Sequence, residues 1–318
     1  MLMRRRDPRS PVAAGAAVPG NASCRAAPVN ALTIDVEDYF HVEAFASTIA
    51  RETWETRPRR VARNTNRILD ILQQEQAKAT FFTLGWVAQR HPELVRRIVD
   101  EGHELASHGS EHYRADHQSP EAFRLDVRRS KVLLEDTAGV EVKGYRAPTF
   151  SAGRRAPWVH EILADLGFRY SSSVYPVAHD LYGEPHAPRR PFRPHPGLIE
   201  VPLTTLRALG RNWPGSGGGY FRLLPYPMTR WVLRRAQSEL HIPCVFYIHP
   251  WEIDPEQPRQ MDAPRLSRFR HYLNLDRTEG RLRRLLNDFA WTRMDSAFAI
   301  GTATPPPLME KWLALPPQ

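Results

Sequence analysis

Short apolar runs alternate along this chain with segments whose apolar residues recur at helical spacing. Residues 31–36 (ALTIDV), 79–84 (ATFFTL), 103–107, 142–145, 168–171, 198–203 (LIEVPL) and 243–248 (PCVFYI) read as buried strands. Between the first two, Val61–Gln74 sets Val61, Ile68, Leu69, Ile71 and Leu72 largely along one side of a helix. Pro92 suits the first position of a second helix, which carries Leu94, Val95, Ile98 and Val99 and is stopped by Gly102. Ser119-Pro120-Glu121 opens a longer one that ends near Gly139, with Phe123, Val127 and Leu134 facing inward. Residues 156–166 and 227–240 predict two more. About seven strand–helix units in a body of this length predict an α/β fold with a parallel sheet, closed or nearly closed into a distorted (β/α) barrel. An open doubly wound sheet is the alternative. No dinucleotide fingerprint follows the first strand; Gly217-Gly218-Gly219 reads as a turn and the Pro-rich stretch 185–196 as an inserted loop.

The ends differ from the body. Residues 1–30 are Arg, Ala, Pro and Gly without periodicity and predict a disordered basic extension. Residues 301–318 predict a loose Pro-rich tail, leaving 31–300 as a single domain. With 42% apolar residues among 318, that domain can bury a sizeable core. No apolar run reaches the ~18 residues of a membrane-spanning helix. Two cysteines, Cys24 and Cys244, give neither a disulfide framework nor a cysteine zinc site. The net charge of +9 is concentrated in residues 1–30 and 256–293, each carrying +4, which argues against a nucleic-acid groove across the body. Pro and Gly break up any leader-like apolar stretch, so the cytoplasm is the expected location. The Arg-rich start could still touch anionic lipid at the inner membrane face.

Polar residues collect where the strands end. The first runs into Asp35-Val36-Glu37-Asp38, the third into Ser107-His108-Gly109-Ser110-Glu111-His112, the fourth into Arg146-Ala147-Pro148, and PCVFYI into His249-Pro250-Trp251. In a β/α barrel those ends form the active-site face. His108 and His112, placed on one helical turn, would present both imidazoles to one side, as helical zinc motifs do. Three acids within four residues repel one another at a buried strand end unless a cation sits between them. Capping histidines and a solvated strand end are the plainer alternatives.

The segments TIDVED, SHGSEH, RAPTF and FYIHPW, in this order, resemble the motifs of the polysaccharide deacetylases, the NodB-homology family (carbohydrate esterase family 4), over about residues 31–290. LTIDVEDYFHVEAF, GGGYFRLLPY and HPWEID followed by RFRHYLN resemble the subfamily found with exopolysaccharide loci of the exosortase (PEP-CTERM) type. The resemblance implies a NodB-type barrel and removal of N-acetyl groups from an amino-sugar polysaccharide, an exopolysaccharide, with release of acetate. It implies Asp35 as general base, Arg146 as the residue orienting it and His249 as general acid. Metal ligands would be His108, His112 and an acid, with Glu37 the better candidate and Asp38 the second. Zinc is the expected divalent ion, with cobalt or another as substitute. The Thr149 backbone N–H would stabilise the oxyanion, and Tyr220 and Trp251, with Trp213 and Phe221, would stack on sugar rings. The N-acetylated saccharide is the expected partner.

One position departs from the family pattern. Ser171 stands where an aspartate usually pairs with the acid histidine, so His249 is expected to lack a charge that holds its proton, unless Asp180 or Asp254 compensates. That departure motivates a second reading, a catalytically weak carbohydrate-binding protein on the same fold. A third reading is a hydrolase of a small cyclic amide.

Overall fold

Every residue of the first strand, β1 (Asn30–Val36), is buried, and strands flank it on both sides. The computed structural model describes residues 28–302 and 304–309. The expected extension therefore lies, up to residue 27, outside the described residues, as does Cys24. The other strands are β2 (Thr80–Thr83), β3 (Glu104–Ser107), β4 (Gly144–Tyr145), β5 (Tyr170–Ser171), β6 (Phe192–His195), β7 (Leu198–Glu200), β8 (Thr205–Ala208), β9 (Arg211–Pro214), β10 (Val245–Ile248) and β11 (Trp291–Thr292). The order β10-β1-β2-β3-β4-β5-β7 is parallel throughout, with β6 antiparallel at the far edge and β11 added beside the start of β1. This is the seven-stranded parallel α/β sheet that the alternation predicts. No helix among the described residues is long and apolar enough to cross a membrane.

Among the described residues the strand ladder is open between β7 and β10. Between β7 and β10 the gap is spanned by an irregular segment: Val245 N donates to Thr204 Oγ1 at 2.7 Å, and Tyr247 N donates to the Ser216 carbonyl at 2.6 Å. The β8–β9 hairpin leaves and re-enters this segment. Gly217, with φ +119°, crosses so close that a Cβ there would lie 2.0 Å from the Tyr247 carbonyl oxygen. Only glycine fits both the dihedral and the approach.

Among the described residues ten helices accompany the sheet: α1 (Val61–Gln74), α2 (Gly85–Arg90), α3 (Pro92–Asp100), α4 (Pro120–Ala138), α5 (Val159–Asp165), α6 (Gly218–Leu223), α7 (Tyr226–Leu240), α8 (Arg265–Tyr272), α9 (Leu275–Asp288) and α10 (Met294–Ala297). The inward residues of α1 pack with Leu32, Ile34, Leu233 and Leu282 in one core cluster, while those of α4 join Leu105, Tyr145 and Phe168 in a second. The ends of α4 follow from sequence: Ser119 Oγ accepts from Ala122 N, and Gly139 takes the left-handed conformation at φ +68°.

Three expectations are corrected. The glycine run is not only a turn, because Gly218 starts α6. The Pro-rich stretch 185–196 contains β6, which tolerates Pro194 as an edge strand. The tail is anchored as far as residue 309: Arg193 N donates to the Pro307 carbonyl at 3.0 Å and Met309 N to the Arg193 carbonyl at 2.8 Å.

Candidate active site

The C-terminal ends of β1, β3, β4 and β10 deliver their polar residues to one cavity of about 320 Å³. Its floor includes Asp35, Glu37, His108, His112 and His249, with Trp251 beside them. Arg146 lies beneath, fully buried. Its Nη1 donates to Asp35 Oδ1 at 2.7 Å and to Thr33 Oγ1 at 2.8 Å, and its Nε and Nη2 donate to the carbonyl and hydroxyl of Ser172. The guanidinium also lies over the Phe82 ring at 4.1 Å. Every arm is occupied, which fixes the Asp35 carboxylate in one orientation. Its second oxygen, Oδ2, faces His249 Nε2 across 3.9 Å.

The His108–His112 segment is not helical, correcting the expected helical turn. Gly109 and His112 both take positive φ, +80° and +53°, so the loop doubles back and sets the two rings 5.3 Å apart. Asp126 on α4 pins it, accepting from Ser110 N at 3.0 Å, and Arg51 donates to the carbonyls of Glu111 and His112.

Glu37, His108 and His112 form the cluster able to hold a metal ion, with one ligand atom from each lying within 4.8 Å of the others. Two features fit a cation. His108 Nδ1 lies 2.8 Å from the Arg146 carbonyl, which can only accept, so Nδ1 carries the proton and Nε2 keeps its lone pair. Glu37 Oε2 is buried without a hydrogen-bond partner although His112 Nε2 is 2.7 Å away. Two nitrogens and one carboxylate oxygen form a donor set suited to zinc with an open position. Burial opposes ionisation of Glu37, but His112, His249 and His108 around it hold its carboxyl well below the usual range. Burial pushes His108 down to about 4, leaving its imidazole neutral as a ligand must be.

Asp38, the second candidate ligand, is directed elsewhere. Its Oδ2 accepts from Arg60 N and Val61 N at 2.6 and 2.9 Å, and Oδ1 from Tyr39 N at 2.9 Å. It ties the strand end to the start of α1, and burial raises its carboxyl to about 6.

The expectation for His249 is also corrected. Ser171 does not reach it; its Oγ donates to Ser173 Oγ at 2.8 Å. Asp180 pairs with Arg270, and Asp254 with Arg60 and Arg63. The carboxylate that fills the role is Glu252, which sequence reasoning missed. The 3₁₀ turn Pro250–Ile253 folds Glu252 back so that Oε1 lies 2.7 Å from His249 Nδ1 and accepts from His249 N at 3.0 Å. Its Oε2 accepts from Arg222 Nε at 2.7 Å, and Arg222 is in turn held by the carbonyls of His271 and Leu273. Burial works against a charged His249, yet Glu37, Glu252 and Asp35 outweigh it and raise the imidazole to about 9. The legible signal was H-P-W-E itself, a capping box with histidine at the cap.

Of the remaining candidates, Thr149 lines the cavity with a left-handed backbone at φ +56°, a strained conformation for a β-branched residue. Tyr220 lines it half-buried. Trp251 is sandwiched between His249 and His271, with ring centroids at 5.1 and 4.1 Å, and is no open platform. Trp213 is exposed on the β8–β9 hairpin away from the cavity, and Phe221 is core.

The polysaccharide deacetylase family profile matches residues 49–171, and a domain of unknown function (DUF3473) matches 172–299. Residues 49–171 are thus a polysaccharide deacetylase family segment. A peptidoglycan-N-acetylglucosamine deacetylase of Bacillus cereus is 39% identical over 71 residues, 22% of this chain and 33% of that protein. A chitooligosaccharide deacetylase of Bradyrhizobium is 48% identical over 102 residues, 30% of this chain and 42% of that protein. The chain thus spans about a third to two fifths of the length of these curated relatives. A solved structure of a putative polysaccharide deacetylase from Mycobacterium smegmatis shares the fold, with TM-score 0.56 and 20% identity over 93% of this chain and 97% of that one. The polysaccharide deacetylase segment carries His108, His112 and Arg146. Asp35 and Glu37 precede that segment, and His249, Glu252 and Arg222 lie in the second.

Proposed function

We propose that the chain is a metal-dependent hydrolase that removes N-acetyl groups from an amino-sugar saccharide and releases acetate. The observation that carries this reading is the opposition of Asp35 Oδ2 and His249 Nε2, 3.9 Å apart, beside the Glu37–His108–His112 cluster. An amide bond needs an activated water, a stabilised oxyanion and a proton for the leaving nitrogen. Asp35, fixed by Arg146, takes a proton from the water as its oxygen bonds to the acetyl carbon. The Thr149 backbone N–H is the candidate donor to the oxyanion. His249, kept protonated by Glu252 and its acidic neighbours, passes its proton to the nitrogen as the C–N bond breaks, leaving acetate and a free amine. A divalent ion bound by Glu37, His108 and His112, for which zinc is our choice, supplies Lewis-acid polarisation and a lower water pKa.

The likeness of GGGYFRLLPY and HPWEID to exopolysaccharide-locus proteins supports an exopolysaccharide-derived substrate, met in the cytoplasm or at the inner membrane face. The deacetylase names of the relatives support an N-acetylated sugar. Glu252, 2.7 Å from His249 Nδ1, supports the hydrolase reading over that of a weak binding protein, because a carboxylate partners this imidazole. The test is acetate release from N-acetylglucosamine oligomers and extracted exopolysaccharide with zinc added, and again after chelation. Release that chelation abolishes and zinc restores is expected; no release from any substrate in the zinc-loaded protein sinks the proposal.

A further inference from the structure

One face of α7 packs and the other is exposed. Tyr226, Thr229, Val232, Leu233, Ala236 and Leu240 are buried, while Pro227, Met228, Trp231, Arg234, Arg235 and Ser238 form an exposed stripe at helical spacing. The outward stripe of a surface helix is ordinarily polar. This one carries Met228 at 47% and Trp231 at 58% exposure, and Leu223, at the end of α6 just before α7, is 51% exposed. A groove of about 370 Å³ runs along the stripe, lined by Arg230, Trp231, Arg234 and Arg235. The charge beside it is mainly positive. Arg284 of α9 lies over the Tyr226 ring at 4.5 Å, and Arg234 lies 6.0 Å from the Phe289 ring. Asp288 accepts from Tyr226 OH at 2.6 Å and pairs with Arg230 at 3.3 Å. Glu239, one turn beyond Arg235, is taken by Arg189 at 2.5 Å. Among the described residues Arg234, Arg235 and Arg284 have no carboxylate in ion-pair contact.

We propose that this face docks on an anionic phospholipid bilayer, with Arg234, Arg235 and Arg284 at the headgroup phosphates and Met228 and Trp231 at the boundary with the acyl chains. The combination of residues decides the occupant. A soluble polyanion would engage the arginines and leave Met228 and Trp231 in water. An anionic bilayer offers phosphates and an apolar layer side by side, as basic amphipathic helices at membrane surfaces require. Tryptophan suits that boundary, its ring being apolar with a single N–H donor. A second copy of the chain fits poorly, because a two-fold contact on this face would set arginines against arginines. Leu223 also lines the catalytic cavity, so docking holds the cavity mouth beside the bilayer surface. Docking is read by binding alone and stands or falls separately from hydrolysis.

The full chain is sedimented with vesicles of phosphatidylcholine alone and with vesicles of equal parts phosphatidylcholine and phosphatidylglycerol. Partition onto the mixed vesicles only, weakened by added salt, is expected. Arg234→Gln and Arg235→Gln should each lower the partition constant roughly fivefold, the weight of one basic residue near a charged surface. Trp231→Ser should lower it severalfold, and brominated acyl chains should quench less fluorescence in that variant than in wild type. Melting curves confirm that each variant is folded. No partition onto the mixed vesicles overturns the proposal. So does partition equal to wild type in all three variants, which would leave the binding to the basic residues 1–30. Weakening by the two arginine variants without any by Trp231→Ser makes the face a site for a soluble polyanion. Self-association that Trp231→Ser abolishes in sedimentation velocity makes it an interface between copies, and either result overturns docking on a bilayer.

Discussion

Glu37 at the rim of the sheet and Glu104 at its opposite end are both buried carboxylates, 2% and 8% exposed, yet their surroundings drive them apart. Glu104 receives hydrogen bonds from Tyr170 OH at 2.8 Å, Thr80 Oγ1 at 2.5 Å and Asp295 N at 3.1 Å. Burial, with Asp295 adding to it, pushes its carboxyl up to about 7. Glu37 has three imidazoles around it and one oxygen without a hydrogen bond, and its carboxyl is held well below the usual range despite burial. Burial alone therefore says little about function. A carboxylate satisfied by neutral donors serves packing, whereas one kept charged among nitrogen donors is prepared for a cation.

The largest expected effects fall at the rim. His108→Ala should lose bound zinc and acetate release together. Asp35→Asn should keep the metal and lose turnover by roughly 10²–10⁴-fold, the usual weight of a general base. Metal analysis run beside the rate assay separates the two, and loss of metal from Asp35→Asn as complete as from His108→Ala would merge roles that the geometry divides. Next comes Glu252→Gln, with kcat falling by roughly 10²-fold while KM moves little. A proton NMR resonance of the Nδ1–H of His249 bonded to a carboxylate should vanish in the folded variant; its survival would place the partner elsewhere.

At the opposite end the effect should be on stability alone. Because the folded-state carboxyl of Glu104 lies above its ordinary value of 4.5, its contribution is fully present below pH 4.5 and is lost as pH rises through about 7. Glu104→Gln, which cannot ionise, should lack that loss, a difference from wild type on the order of a few kcal/mol across the window. Urea melts of both proteins between pH 4.5 and 8 measure it, and parallel pH dependences would break the comparison. The smallest effect is expected from Ser171→Asp, which buries a carboxylate beside Ser173 without a cation and should cost about 1–3 kcal/mol. A melting temperature unchanged from wild type, or a gain in kcat, would contradict the assignment of Glu252 as the partner of His249.

Much of the fold was legible because fully buried strands such as β2 and β10 lie in apolar runs, and because α1 and α4 carry clean helical spacing with caps at the ends of α4. The polar residues at the strand ends were legible for the same reason: once the strands are placed, Asp35, Glu37, His108, Arg146 and His249 must converge. What stayed hidden depends on non-local or strained geometry. The left-handed backbone of His112 has no glycine to announce it. The bridging of β7 to β10 runs through side-chain and carbonyl contacts that leave no periodic trace. The position of Glu252 depends on a four-residue 3₁₀ turn, and Ser171 looked like a loss only because a replacement on a different strand end was not visible.

The cradle of Arg146 is built across the boundary between the two matched segments. The family segment that contributes the arginine ends at Ser171, and the guanidinium's Nε and Nη2 are held by Ser172, the first residue of the next segment. β10, from that second segment, also lies directly against β1. A recombination event that joined the first stretch to a foreign continuation would strip a buried cation of half its support and leave the central strand with a bare edge. The two stretches therefore depend on each other physically: the Ser172 carbonyl holds Arg146 Nε whatever its side chain, and loss of the Ser172 hydroxyl would leave Nη2 without that acceptor.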